Sequence, residues 1–312
     1  MAITPHFGAL VPHIKRPWQQ TREAALAFEV MGYDSLWVND HLYAPTDPAV
    51  PVLEAWTTAA ALGAITERVE IGTLVTPIGL RNIGHLAKLV ATVDQITGGR
   101  VIAGVGAGWL EREFTDFGVP FLTPRDRLGQ LGEGIEVLRR LWGPEASVTH
   151  HGRYFDLDDA VVSPKPARPP RILVGGGGER VTMRLAAQHA DIWNNLPHDQ
   201  HRIAHKVDVL RRHCADIGRD AEEVTVSQMC LVTIDRDEAR AREQAATATR
   251  IFRGYLGDPE GPLALSGTPA QVAARVQQHI DAGCTMFQFE FFGVDPREGA
   301  ALFAEEVMPQ FR

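Results

Sequence analysis

Short, almost wholly apolar runs recur along the chain, separated by longer stretches with helical spacing. The strand-like runs are 6–11, 35–40, 69–76, 101–108, 171–176, 191–195, 224–234 and 286–292. Most are continuously apolar rather than alternating, the pattern of a parallel sheet covered on both faces. Between them, residues 18–31 place Ala24, Leu26, Ala27, Phe28 and Val30 for one buried face, with Gly32 as a stop. Similar segments span 52–66, 82–97 (closed by Gly98-Gly99), 126–142, 179–189, 201–217, 236–250 and 269–282. In the last, Thr268-Pro269 supplies a cap and a first-turn proline. Eight strands alternating with eight helices predict a (β/α)8 TIM barrel forming one domain over residues 1–312. A doubly wound open sheet is the alternative, but it would carry an early dinucleotide fingerprint and none is present. Residues 110–124, 143–170 and 251–267 exceed the barrel minimum and read as loop insertions, with a short hairpin predicted at 153–158.

Composition narrows the function. A net charge of −8 gives no bulk electrostatic case for nucleic acid or an anionic membrane, so any bound anion must be held by local groups. Cys214, Cys230 and Cys284 are widely spaced with no C-x-x-C, which argues against a zinc knuckle or a disulfide framework. The first residues lack the basic-then-apolar pattern of a signal peptide, and no apolar stretch reaches the ~18 residues of a membrane helix. A cytoplasmic location is the expectation.

In a barrel, functional side chains sit at the C-terminal ends of the strands. The second strand ends in Asn39-Asp40-His41, where an acid and an imidazole can act as base, proton donor or substrate orienter. Equally, Asp40 can cap the turn and His41 can pack under a loop. The third ends in 73-TLVTP-77, an irregular end suited to backing a flat ligand or a strand simply stopped by proline. The fourth gives 104-GVGAGW-109, whose alternate glycines would let a ligand approach the backbone, with Trp109 as a wall. The fifth runs into four glycines and predicts a helix opening at Glu179. Bare amides there make an anion site, and Arg180 and Arg184 lie one turn apart to pair with negative charge. The sixth ends in Trp193-Asn194-Asn195, which can stack and hydrogen-bond or serve the core. His150-His151 reads as a loop pair without an acidic partner, and His201/His205 lack an intervening Glu. No metal site is predicted.

The runs 37-WVNDH-41, 72-GTLVTP-77, 88-KLVATVDQITGGRVIAGVGAGW-109, 113-EFTDFGVPF-121, 125-RDRLGQLGEGIEVLRRLW-142 and 173-LVGGGGERVTMRLAAQHADIWN-194 together resemble the luciferase-like monooxygenase superfamily. They are most similar to its branch using the deazaflavin coenzyme F420. The resemblance implies a bacterial-luciferase-like (β/α)8 barrel, usually a homodimer, acting on a small-molecule substrate with the coenzyme ring at the mouth. It places Asp40 and His41 at the reactive face. It puts a non-prolyl cis peptide bulge at Thr73-Leu74, lines the ring with Ala107, Gly108 and Trp109, and makes Gly176, Gly177 and Gly178 the phosphate loop. Sugar-phosphate dehydrogenase relatives have a carboxylate where this chain has Trp109, which turns the expectation toward an apolar carbonyl, enone or alcohol. The expected reaction is hydride transfer, with His41 orienting substrate or shuttling a proton and Asp40 holding the imidazole or contacting the ring. Competing readings are an FMN-dependent monooxygenase on the same fold, a non-catalytic flavin-binding protein, and a metal-dependent hydrolase or isomerase ligated by Asp40 and His41.

Overall fold

A computed structural model of the chain, describing residues 4–256, 263–293 and 295–312, shows the barrel. In chain order its elements begin with β1 (His6–Leu10), α1 (Trp18–Val30), β2 (Ser35–Val38), α2 (Ala55–Ile65), β3 (Glu70–Thr73), the two-residue β4 (Thr76–Pro77), α3 (Ile83–Thr97) and β5 (Val101–Gly106). There follow α4 (Glu111–Thr115), α5 (Pro124–Trp142), β6 (Val148–His151), β7 (Asp156–Ala160), β8 (Arg171–Gly175), α6 (Thr182–His189) and β9 (Ile192–Asn195). The remainder comprises α7 (Ile203–Asp216), β10 (Thr225–Ile234), α8 (Glu238–Leu256), β11 (Ala264–Gly267), α9 (Pro269–Asp281), β12 (Met286–Phe291) and α10 (Pro296–Glu306).

Parallel pairing runs β1-β2-β3-β5-β8-β9-β10-β12, and β12 returns to β1 with His6 against Met286 and Ala9 against Phe289. Eight staves therefore close the barrel, and all eight sequence-predicted strands supply one. Strand alternation sorts their side chains between two apolar cores. Outward residues such as Phe7, Phe289 and Phe291 pack against Phe303 of α10. Inward residues Leu10, Trp37, Ile102, Leu173, Ile192 and Met286 fill the lumen. Above this plug lies a polar layer, in which Asn194 Nδ2 donates to Ser227 Oγ (3.0 Å) and Gln288 Oε1 (2.7 Å). The lumen is therefore closed below and chemically active only toward its mouth.

The departures from expectation lie in the insertions, at the ends and on α1, where Val30 is exposed rather than part of the buried face. The hairpin is β6–β7, and 153–155 form its turn rather than its body. His150 and His151 stand on it with acidic partners, Glu133 at 3.1 Å and Asp156 at 2.6 Å. Of the segment 251–267, residues to Leu256 extend α8, Ala264–Gly267 form β11 against the upper half of β10, and 257–262 lie outside the described residues. Helix α6 opens at Thr182 rather than Glu179. Helix α10 was not predicted, although Asp295 caps it (Oδ1 accepting from Arg297 N, 2.9 Å) ahead of Pro296.

Gly104 of β5 faces the Thr73 carbonyl of β3 so closely that an added methyl would overlap the oxygen. Gly104→Ala should therefore destabilise the fold by about 1–3 kcal/mol, read as a lower urea midpoint; an unchanged midpoint would refute this packing.

Candidate active site

Between Thr73 and Thr76 the third stave leaves the sheet and bulges toward the lumen, with a cis peptide at Leu74–Val75. That is one residue beyond the predicted Thr73-Leu74 position. Room for the bulge comes from glycines on neighbouring staves. A Cβ on Gly106 would lie 2.7 Å from Val75 Cγ2, and one on Gly175 2.9 Å from Val75 Cγ1. The spaced glycines thus make room for the chain itself, the Thr73 carbonyl against Gly104 and the Val75 side chain against Gly106 and Gly175, while Gly106 and Gly108 also line the cavity at the mouth. Gly108 (φ +78°) likewise turns against Phe114 and Pro77.

A buried ion pair pins the bulge. Both Asp40 carboxylate oxygens accept from Arg81, each at 2.8 Å, and Thr76 Oγ1 donates to Oδ2 at 2.7 Å. Arg81 also reaches Glu54 (2.8 Å), which caps α2 by accepting from Thr57 N. Trp56 Nε1 donates to Thr76 (2.9 Å), and Thr73 Oγ1 donates to the Gly104 carbonyl (2.9 Å). Burial pushes the Asp40 carboxyl up, with Arg81 and Thr76 pulling against it. Asp40 is fully occupied beneath the bulge and does not hold the imidazole, which corrects that expectation; Thr73 is likewise buried.

The imidazole is held by a residue the sequence reading missed. Glu113, on α4, accepts from His41 Nδ1 at 2.9 and 3.0 Å and from Leu42 N at 2.8 Å. A carboxylate accepting at Nδ1 fixes the tautomer that leaves Nε2 as an acceptor. The His41 ring meets Trp109 edge to face, centroids 5.7 Å apart. Both line a cavity of ≈ 470 Å³ at the mouth, together with Leu74, Val75, Ala107, Gly108 and Met229. Its walls are mainly apolar, with polar groups converging from Asn39, His41, Asn194, His198 and Glu290.

At one end the cavity reaches Gly175, Gly176 and Thr182. Among the described residues, the amides of Gly177, Gly178 and Glu179 donate to no protein acceptor. Lys206 Nζ sits under this loop, donating to the Gly177 carbonyl (2.5 Å) between Asp199 (3.2 Å) and Glu179 (3.3 Å). The Glu179 side chain also engages Arg202 (2.9 Å) and His205 (3.1 Å). Glu179 and Arg180 line an outer depression with Arg212 and His213, not the cavity holding His41. The loop thus presents backbone amides and the Thr182 hydroxyl, without the predicted arginine. Among the described residues no cluster of His, Cys, Asp or Glu is arranged to hold a metal ion, and no helix is long and apolar enough to cross a membrane.

Comparison with known proteins places this geometry. A family model described as luciferase-like monooxygenase matches residues 1–261. An F420-dependent glucose-6-phosphate dehydrogenase of Kineococcus radiotolerans is 30% identical over 313 aligned positions, covering 92% of this chain and 91% of that one. A phthiodiolone/phenolphthiodiolone dimycocerosates ketoreductase of Mycobacterium bovis is 31% identical over 292, covering 85% and 74%. The solved structure of an F420-dependent secondary alcohol dehydrogenase in complex with an F420-acetone adduct matches all of both chains with a TM-score of 0.88 at 22% identity.

Removing one partner of the Asp40–Arg81 pair strands a buried charge. Arg81→Ala should cost about 3–5 kcal/mol near neutral pH. The cost should shrink as pH falls, because the abandoned Asp40 carboxyl, already pushed up by burial, then takes a proton. Urea unfolding of both proteins at acidic and neutral pH measures this; a pH-independent difference would contradict it.

Proposed function

The chain belongs to the luciferase-like monooxygenase family, and we propose that it is an F420-dependent oxidoreductase exchanging a hydride with a small, largely apolar carbonyl compound, enone or alcohol. The carrying observation is the His41–Glu113 pair beside an apolar slot that reaches Gly176 and Thr182, next to the amides of Gly177 and Gly178, which are unpaired among the described residues. The slot is within the ~300–1,000 Å³ that small ligands and cofactors occupy. Leu74 and Val75 give it an aliphatic face on which a fused ring can lie, and Gly176 and Thr182 at its end, followed by the Gly177 and Gly178 amides, suit an anionic tail. When bound, F420 supplies or accepts the hydride at its ring.

The residues of this chain do the rest. Leu74, Val75 and Met229 position the ring's face and exclude water from it. His41 presents Nε2 to the substrate oxygen, where it accepts a hydrogen bond when neutral and donates one when protonated. Glu113 holds the imidazole in that orientation and stabilises it when it carries the extra proton. Trp109 walls the slot and favours an apolar substrate body. We further take the protein to be a homodimer, as the resemblance implies, and keep the cytoplasmic location expected from its sequence.

Fluorescence titration with F420 and with FMN tests the coenzyme, with binding expected for F420 and no oxygen uptake on turnover. Preference for FMN together with oxygen consumption would overturn the reading in favour of a monooxygenase. His41→Ala should lower kcat about 10²-fold or more with F420 affinity nearly unchanged. Unaltered turnover would remove His41 from the mechanism.

A further inference from the structure

Strand β12 reads Met286-Phe-Gln-Phe-Glu-Phe291, and its phenylalanines point outward into the helical core. Alternation therefore turns Gln288 and Glu290 into the lumen. Gln288 is spent in the polar layer with Asn194. Glu290, one step higher, pairs in register with Leu231 of β10, and its carboxylate has no hydrogen bond or ion pair among the described residues. It lines the ring-sized cavity and also a second, adjoining cavity of ≈ 680 Å³. The two cavities share Ile14, Asn39, Pro45 and Glu290 along their common edge. Beyond that edge the second cavity is mainly apolar, walled by Ala44, Ile251 and Phe292.

An ionisable side chain with no structural duty, placed where two chambers meet, is suited to act on a ligand lying across both. Building on the F420 reading, we propose that Glu290 is the proton-transfer residue for the substrate's reacting oxygen. We further assign the second cavity to the carbon skeleton of a secondary alcohol or ketone longer than the ring site alone accommodates. In the oxidative direction the carbinol C–H bond breaks and its hydride passes to the coenzyme. The O–H bond breaks, its proton passes to the Glu290 carboxylate, and the C=O bond forms. In reduction the carboxylic acid returns that proton to the carbonyl oxygen as the hydride reaches the carbon. The coenzyme is the sole oxidant or reductant, so electrons and protons balance.

The setting keeps Glu290 available near neutrality. Burial alone pushes its carboxyl up to about 7. The titratable and charged groups lining the two cavities with it are Lys15 and Arg16 after β1, His13, His41, Glu113, His198 and Glu243 of α8. None forms an ion pair with Glu290 among the described residues. His13 is buried between the Val11 and Asn39 carbonyls, and burial holds its pKa down. His41 is committed to Glu113 at Nδ1, which leaves it an orienting hydrogen bond from Nε2.

Glu290→Gln keeps shape and polarity but cannot exchange the proton. In coenzyme-free protein, the folded state binds this proton more tightly than the unfolded chain does. The wild type should therefore lose thermal stability relative to the variant as pH rises from about 4.5 through about 7. Parallel Tm-against-pH curves would overturn Glu290 as a site of raised proton affinity. With reduced F420 and methyl ketones of increasing chain length, wild-type kcat/KM should rise with chain length. The variant should lose about 10²-fold in kcat together with the pH limb near 7, while its F420 titration stays unchanged. Normal turnover and an unchanged pH profile in the variant would overturn Glu290 and leave the F420 reading standing. No turnover anywhere in the series, with F420 bound, would overturn the substrate assignment. Failure of the wild type to bind F420 would overturn the function itself.

Discussion

A buried ion pair shapes this barrel mouth. Asp40 and Arg81 meet through two parallel hydrogen bonds, with Thr76 as a third donor and Glu54 closing the far side of the guanidinium. Taking both charges from water is costly, and a well-packed apolar pair could match its stability. What the pair adds is placement. It ties the end of β2 to the chain just after β4, so the residues between β3 and β4 leave the sheet at one height and in one direction. Gly104, Gly106 and Gly175 are small because this loop occupies their side-chain space. The apolar face of the slot thus follows from a polar contact buried beneath it.

Asp40 is buried beneath the bulge, so the side chains facing the cavity come from around the mouth's circumference. His41 stands at the end of β2, oriented by Glu113 from α4 across a sequence separation of 72. The glycine loop and Thr182 follow β8, and Glu290 rises from β12 on another arc. Apolar side chains plug the lumen below, and these groups line the cavity above it. Each side chain inherits its height from strand register, which is why their convergence does not require proximity along the chain.

The barrel was legible because parallel staves are buried on both faces, and a run such as 101-VIAGVG-106 has few alternative uses. The strand-end rule also led directly to His41, Trp109 and the glycine loop. Pairings escaped where their information lies in three dimensions. Nothing in 37-WVNDH-41 distinguishes the acid that meets an arginine 41 residues away from an acid that meets its neighbouring imidazole. Glycine spacing was correctly marked as a close approach, but composition does not say whether a ligand or the chain itself approaches. Helix α6 begins at Thr182 behind Val181, which supplies no capping side chain, so no cap in the sequence marks that start. Helix α10 has an ordinary Asp-Pro start, but eight other helical segments already satisfy the barrel pattern, so its presence is not required by the count.

Glu290 had a sequence signal of its own. In Met286–Phe291 every odd position is aromatic, so an acid at an even position of the same buried strand must face the lumen or its opening. Gln288, two residues earlier, shows how such a polar group is ordinarily absorbed, through a partner on a facing stave. Glu290 lacks that solution among the described residues and keeps a raised affinity for its proton. Trp109, on the His41 side, contributes an aromatic wall rather than an acid. The mouth is consequently asymmetric, with an imidazole held in one tautomer on one side and a carboxyl able to gain or lose a proton on the other. A substrate oxygen between them can be oriented by the first and protonated or deprotonated by the second, so alignment and proton transfer need not depend on the same side chain.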